Sequence, residues 1–191
     1  MDAFDWHRDY GNANWDIRHR FVTSVVYDLP SLAGRSSLLR WTLGDWQANG
    51  IFTAQTGQPF NVLISPDQAN IGRGNQRPDL VGTPHANCGA GHVTGCIDAT
   101  AFALPAQYVF GTAGRNLLFG PGLVNMDFSI FKDFPIKERF KFQFRAEMFN
   151  IFNHPNFANP SGLTFGTTSF GNITSTTTDN RDIQFGAKLI F

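Results

Sequence analysis

Apolar and polar side chains alternate most cleanly at the end of the chain. From Arg181 to Phe191, the side chains of Ile183, Phe185, Ala187, Leu189 and Phe191 share one face, and Asp182, Gln184, Gly186 and Lys188 share the other. Period-two alternation marks a strand, and this one approaches the ~9–11 residues of a tilted membrane strand. The segment before it repeats the pattern, with Phe140, Phe142, Phe144, Ala146 and Met148 set against Lys141, Gln143, Arg145 and Glu147. A helix would bring Phe140 and Phe144 together and turn Phe142 to the far side, whereas a strand collects all three. Further upstream, Val124, Met126, Phe128, Ile130 and Phe134 alternate with Asn125, Asp127, Ser129 and Asp133. The run from Pro135 to Glu138 then reads as a tight, solvated turn closing a hairpin. Two earlier strands follow the same logic. One sets Trp46, Ala48, Gly50, Phe52 and Ala54 against Gln47, Asn49, Thr53 and Gln55. In the other, Phe21, Val25, Tyr27 and Leu29 share a face with His19 and Thr23, while Val22 and Val26 lie opposite. The predicted strands are about 17–29, 46–56, 123–134, 139–152 and 181–191.

The connections between these strands alternate in character. Residues 30–45 and 135–138 are the shorter links, whereas about 57–122 and 154–180 are long and rich in Gly, Pro, Asn, Ser and Thr. If the C-terminus lies on the periplasmic side, successive strand directions put both long loops outside the cell and both short links inside, as in outer-membrane barrels. The expected fold is therefore all-β: an antiparallel transmembrane β-barrel segment with long extracellular loops. Half-buried strands of a soluble sandwich also alternate, which is the competing reading. Two features weigh against it: faces dense in Phe over whole strand lengths, and a loop far longer than compact soluble domains normally carry. Five strands cannot close a barrel, since the smallest membrane barrels need about eight. The segment is expected to belong to a larger barrel.

Composition sharpens this picture. The chain has 191 residues, with 20 Phe against 3 Tyr and 4 Trp, and only 16% charged residues. So much of a bulky β-former with so little charge suits strands that face something apolar. No window approaches 18 consecutive apolar residues, so any crossing of a membrane goes through strands. The 15 basic and 15 acidic residues cancel, leaving no electrostatic case for nucleic acid or an anionic surface as partner. The N-terminus, Met-Asp-Ala-Phe-Asp-Trp-His-Arg-Asp, lacks the basic start and apolar run of a secretory signal, so an exported chain of this sequence is expected to be a fragment or processed piece.

Candidate chemistry is sparse. Cys88 and Cys96, with seven residues between them in a Gly-rich loop, suit a local disulfide in an oxidising compartment. With His85 and His92 they imitate a metal cluster, but the spacing matches no structural zinc pattern, and no metal or cofactor is expected. The stretch 67–79 offers oxygen ligands at Asp67, Asn70, Asn75 and Asp79 for calcium or a sugar, without the regular spacing or closing Glu of an EF-hand. A solvated surface loop is the plainer reading. Lys141, Arg145, Glu147 and Asp127 are expected to point into a lumen, pairing across strands or lining a substrate path. There is no G-x-S-x-G elbow, no H-E-x-x-H and no carboxylate pair poised to split its pKa values, so no enzyme is expected.

Two longer stretches carry a resemblance. Gly120-Pro-Gly-Leu-Val-Asn-Met-Asp-Phe-Ser-Ile-Phe-Lys-Asp-Phe134 and Phe144-Arg-Ala-Glu-Met-Phe-Asn-Ile-Phe-Asn-His-Pro-Asn-Phe157 resemble the C-terminal barrel of TonB-dependent receptors. The closest likeness is to Oar-like receptors with a carboxypeptidase-regulatory-like domain. Asp16 to Val22, Tyr27 to Pro30, Trp46 to Phe52, Thr56-Gly-Gln-Pro-Phe60, Arg77-Pro-Asp79, Gly114-Arg-Asn116 and the terminal strand fit the same pattern. The resemblance implies a 22-stranded barrel with an N-terminal plug that takes up a scarce nutrient using energy relayed by TonB. It implies an outer-membrane location and, as partners, the lipid bilayer, the plug, the TonB system and the barrel-assembly machinery. The alternating tail Ile183, Phe185, Ala187, Leu189 and Phe191 resembles the signal that this machinery reads. On this reading Phe128, Ile130, Phe140, Phe142, Phe144, Phe185 and Leu189 face lipid. No plug or TonB-box segment is recognisable among these residues. A secreted carbohydrate-binding module and a passive porin or adhesin barrel are the competing functions.

Overall fold

The alternating segments become long strands, and the stretches between them fold in a different style. The computed structural model describes residues 5–74, 76–137 and 140–191. Its elements, in chain order, are β1 (Arg20–Asp28), α1 (Ser37–Leu43), β2 (Trp46–Gln55), β3 (Pro59–Phe60), β4 (Asp79–Leu80), β5 (Phe102–Ala103), β6 (Leu118–Phe119), β7 (Leu123–Lys137), β8 (Phe140–Phe149) and β9 (Asp182–Ile190). Two single-turn 3-10 helices, Trp6–Asp9 and Ala99–Ala101, complete them. Strand accounts for 39% and helix for 8%, so the fold is all-β with antiparallel sheets.

Two compact units are present. The sheet unit comprises Phe21–Ala54, Val124–Pro155 and Thr178–Phe191; the loop unit takes the residues before it through Arg20, with Gln55–Leu123 and Asn156–Thr177.

In the sheet unit the five long strands run in the order β1-β2-β7-β8-β9, each beside its predecessor among the long strands. The register aligns apolar with apolar. Phe128 lies opposite Met148, which lies opposite Ile183; Ile130, Ala146 and Phe185 form the next row, and Phe134, Phe142 and Leu189 another. The polar rows fall between them: Ser129, Glu147 and Gln184, then Asp133, Gln143 and Lys188. A slip of one residue in any pair would mix the faces, so the alternation itself specifies the register.

Two details depart from the sequence reading. The turn expected at Pro135 to Glu138 is largely strand: β7 continues to Lys137, and the register shifts between Pro135 and Lys137. An irregularity of this kind tolerates a proline, which cannot donate to the ladder. Glu138 lies outside the described residues. The second departure is α1, within what the pattern marked only as a link. Ser36 caps it, its side chain accepting from Leu39 N, and Gly44 ends it by donating to Arg40 O. A side chain at Gly44 would press within 2.6 Å of Ser31 O, so glycine is the residue that fits there.

The long connections, expected as extracellular loops, carry a hydrophobic core of their own. Phe60, Val62, Cys96, Ile97, Ala101, Phe102, Leu118 and Phe170 form a buried core cluster, and Ile64 is wholly buried as well. Segments from both long connections contribute, Phe170 of the second packing edge-on against Phe102 of the first. Short ladders hold the backbone: β3 pairs with β6, β4 with β5, and bridges join Leu63 to Thr164 and Ile64 to Gln76. Gly57, from the Thr-Gly-Gln-Pro-Phe motif, lets two backbones meet, since an added Cβ would lie 1.8 Å from Gly120 O.

Candidate functional site

The sheet has one apolar face and one polar face, and each is a candidate surface. On the apolar face, Phe21 of β1 meets Phe52 of β2 with ring centroids 6.3 Å apart. Phe134 meets Phe142 at 6.1 Å, and Phe144 meets Phe185 at 6.2 Å. Large side chains here are left open: Phe185 is 73% exposed, and Ile183, Leu189, Phe140 and Phe21 are exposed too. Phe128, Ile130, Phe142 and Phe144 are half-buried among their neighbours. Ala187 occupies the row of Phe144, and Phe191 follows β9, fully open. Such a continuous apolar face exceeds what a water-soluble monomer normally exposes.

A lysine interrupts that face. Lys132 aligns with Phe144, which pairs in turn with Ala187, and it is only 4% exposed. Its Nζ donates to Gly44 O, just beyond α1, and stands 5.2 Å from the ring centre of Phe134 and 5.8 Å from that of Trp46. The same break in alternation puts Phe131 on the polar face, where the Arg145 guanidinium covers it at 4.6 Å.

Among the described residues, shallow hollows lie on the polar face. One is bordered by Asn49, Ile51, Asp127, Ser129, Glu147 and Phe149, and another by Gln143, Arg145, Gly186 and Lys188. Arg145 and Glu147 stand 3.6 Å apart, and Gln143 donates to Asp133 at 3.0 Å. Of the lumen candidates, Arg145 thus engages Phe131 and Glu147. Asp127 accepts from Asn125 Nδ2 and from Asn150 N, which fixes the turn after β8. Asn150 sits at φ +47° and donates its side-chain amide to His154 O and Asp179 O. The Phe-Asn-Ile-Phe-Asn-His motif is thus a stitch where β8 leaves the sheet and the chain returns to β9.

In the loop unit the two carboxylates expected as oxygen ligands are engaged with backbone N–H groups. Asp67 accepts from Ile71 N, Gly72 N and the Gln76 side chain. Its partial desolvation pushes its pKa up, but these hydrogen bonds and one from Asn70 outweigh that and hold it below the ordinary carboxylate value. Asn70 takes the left-handed conformation at φ +55° inside this turn. Asp79 accepts from Thr112 N at 3.0 Å. Asn75 lies outside the described residues. No group of three or more His, Cys, Asp or Glu able to hold a metal occurs among the described residues. Cys88 and Cys96 are joined in a disulfide, Cα atoms 4.8 Å apart, which removes both thiolates from the His85 and His92 neighbourhood. His85 instead lies 3.6 Å from Asp98. Hydrogen bonds from Thr100, with the His85 charge as a smaller aid, lower the Asp98 pKa.

The motif residues are structural here as well. Arg77 donates to Asp9 Oδ1 at 2.8 Å and to Arg8 O at 2.6 Å. Asn116, 1% exposed and at φ +50°, donates its backbone N–H to Asn61 Oδ1 and its side-chain amide to Asn12 O and Asn14 Oδ1, all at 2.7 Å. Their role as stitches between distant segments is invisible in local sequence, because every partner is remote.

A family model described as an outer membrane beta barrel domain matches residues 1–184. The chain belongs to that family. Outer-membrane barrels alternate apolar and polar side chains along each strand, and β8 and β9 have that dyad form. At ~3.3 Å per residue, β8 with its 10 residues is about 33 Å long, and tilted by ~40° it matches an apolar band ~25 Å tall. No curated protein and no solved structure matches the barrel domain.

Proposed function

We propose that this barrel domain serves TonB-dependent uptake of a scarce nutrient, as the wall and surface loops of an outer-membrane receptor rather than as a catalyst. The observation that carries this reading is the asymmetry of the connections. In the antiparallel sheet, β2 ends, β7 begins, β8 ends and β9 begins at one end, so both long connections attach there, while the short links and the C-terminus belong to the other. The long connections, closed by a disulfide and a core of their own, are the ligand-facing, extracellular part, and the C-terminus is periplasmic. Phe128, Ile130, Phe140, Phe142, Phe144, Phe185 and Leu189 face lipid. The polar face, with Arg145, Glu147, Asp127 and Lys141, faces the lumen and the plug. Further strands pair at the open edges β1 and β9 to complete the barrel, and the barrel-assembly machinery reads Ile183, Phe185, Ala187, Leu189 and Phe191. The motif resemblance supports the receptor over a porin.

The test is uptake by cells producing the full-length gene product, with labelled ferric siderophore, oligosaccharide and peptide supplied in turn. Uptake of one class that stops with a protonophore or without TonB supports the receptor. Passive conductance in a planar bilayer that needs neither, with no energised uptake, replaces it with a porin.

A further inference from the structure

The sheet's apolar face does not end at its strands. Helix α1 carries Leu38, Leu39, Trp41 and Leu43, and all four are open, Leu38 at 71% and Trp41 at 56%. A helix of seven residues is too short to persist on its own, and one so apolar gains nothing from water. Yet it is held at one defined place. The Trp41 ring lies 5.0 Å from Phe134, in the row of Phe142 and Leu189 on the apolar face. Lys132, on the same face, donates to Gly44 O immediately past the helix. An ammonium on a lipid-facing wall is costly unless it is met by carbonyls or aromatic faces. The carbonyl of Gly44, at the C-terminal and therefore negative dipole end of α1, supplies the first, and Phe134 and Trp46 supply the second. Lys132 therefore clamps the helix to the wall. Arg35 and Arg40 stand exposed beside these apolar side chains. Apolar side chains with Trp and flanking Arg, at the rim of an apolar wall, are the composition of an interfacial membrane helix.

We propose that α1 is a membrane-interface anchor. It lies in the headgroup and acyl boundary of a phospholipid bilayer at the rim shared with the C-terminus. Leu38, Leu39, Trp41 and Leu43 enter the acyl boundary, and Arg35 and Arg40 meet lipid phosphates. The proposal rests on the apolar face meeting lipid, and is independent of whether the barrel is a receptor or a porin.

The experiment uses the full-length protein with Trp41 as its sole tryptophan, reconstituted in phosphatidylethanolamine and phosphatidylglycerol vesicles doped with phosphatidylcholine brominated either shallow or deep in the acyl chain. Shallow bromines are expected to quench Trp41 at least about twofold more than deep ones, as an interfacial helix requires. A second protein, with Phe185→Trp as its only tryptophan, reports the wall and is expected to be quenched by the deep bromines. Leu38→Asp should remove most of the Trp41 quenching. Quenching of the Phe185→Trp reporter without quenching of Trp41 overturns the anchor and leaves the barrel standing. Trp41 quenched most by deep bromines also overturns it, and quenching at neither position overturns the lipid-facing wall and the anchor together.

Discussion

The sheet unit and the loop unit place their large apolar side chains in opposite ways. In the loop unit Phe60, Val62, Ile64, Ile97, Phe102, Leu118 and Phe170 point inward and are almost completely buried. In the sheet unit Phe21, Val25, Phe140, Phe185 and Leu189 point outward and are exposed. The first arrangement is driven by water, and the second is tolerable only where the surroundings are themselves apolar. One chain thus carries two folding problems. Stability in the loop unit comes from packing, a disulfide and buried amides; in the sheet unit it comes from backbone ladders and a match to the membrane.

The sharpest way to break that contrast is to hollow out the loop core. Phe102 packs edge-on against Phe170 at 6.4 Å, and Phe102→Ala should cost about 3–5 kcal/mol. Protease sensitivity should rise within 57–122 and 154–180, while heat-modifiable gel migration of the barrel is unchanged. Loss of both together would mean that the two regions are one cooperative structure.

The wall is tested by charge. Phe142→Arg should cost about 2–4 kcal/mol if this position lies near mid-bilayer, whereas Gln143→Arg, one residue along on the polar face, should cost under about 1 kcal/mol. Urea unfolding in lipid vesicles reads both. Equal costs would remove the distinction between the faces.

Reduction of Cys88–Cys96, which closes a short loop of sequence separation 8, should lower loop-unit stability by roughly 2–3 kcal/mol. Amide exchange of Asn87, Cys96 and Ile97 would accelerate, and that of β7 and β8 would not.

The smallest effect is a pH dependence confined to the loop unit. The folded pKa of Asp67 lies below its unfolded value, so its contribution is fully present above about pH 4 and is lost as pH falls through the folded pKa. Asp67→Asn should flatten the acid limb of an unfolding curve followed by exchange of Ile71 and Gly72. A steeper limb would show that the hydrogen bonds do not favour the carboxylate.

The five strands and the apolar face were legible because a period of two requires only local information. Local information fails where the pattern itself breaks. Phe131 and Lys132 exchange faces relative to the alternation, and only the ring under Arg145 and the carbonyl of Gly44 account for them. Pro135 looked like a turn because its missing N–H is a local fact, while the register shift that accommodates it depends on the partner strand. The Ser36 cap and Gly44 were present as signals for α1, yet seven residues are too few for periodicity to separate a helix from a link.

What the sequence alone determined is the class of the molecule: all-β, with one face of each long strand built for an apolar solvent, and two connections out of proportion to the rest. Side-chain order along a strand maps directly onto a face, so no distant information was needed. Tertiary structure decided that the long connections share a core. It decided also that Arg77, Asp79, Asn116 and Asn150 tie segments together. Those roles depend on partners far apart in the chain, and a residue's neighbours in sequence do not say which backbone group will come to meet it.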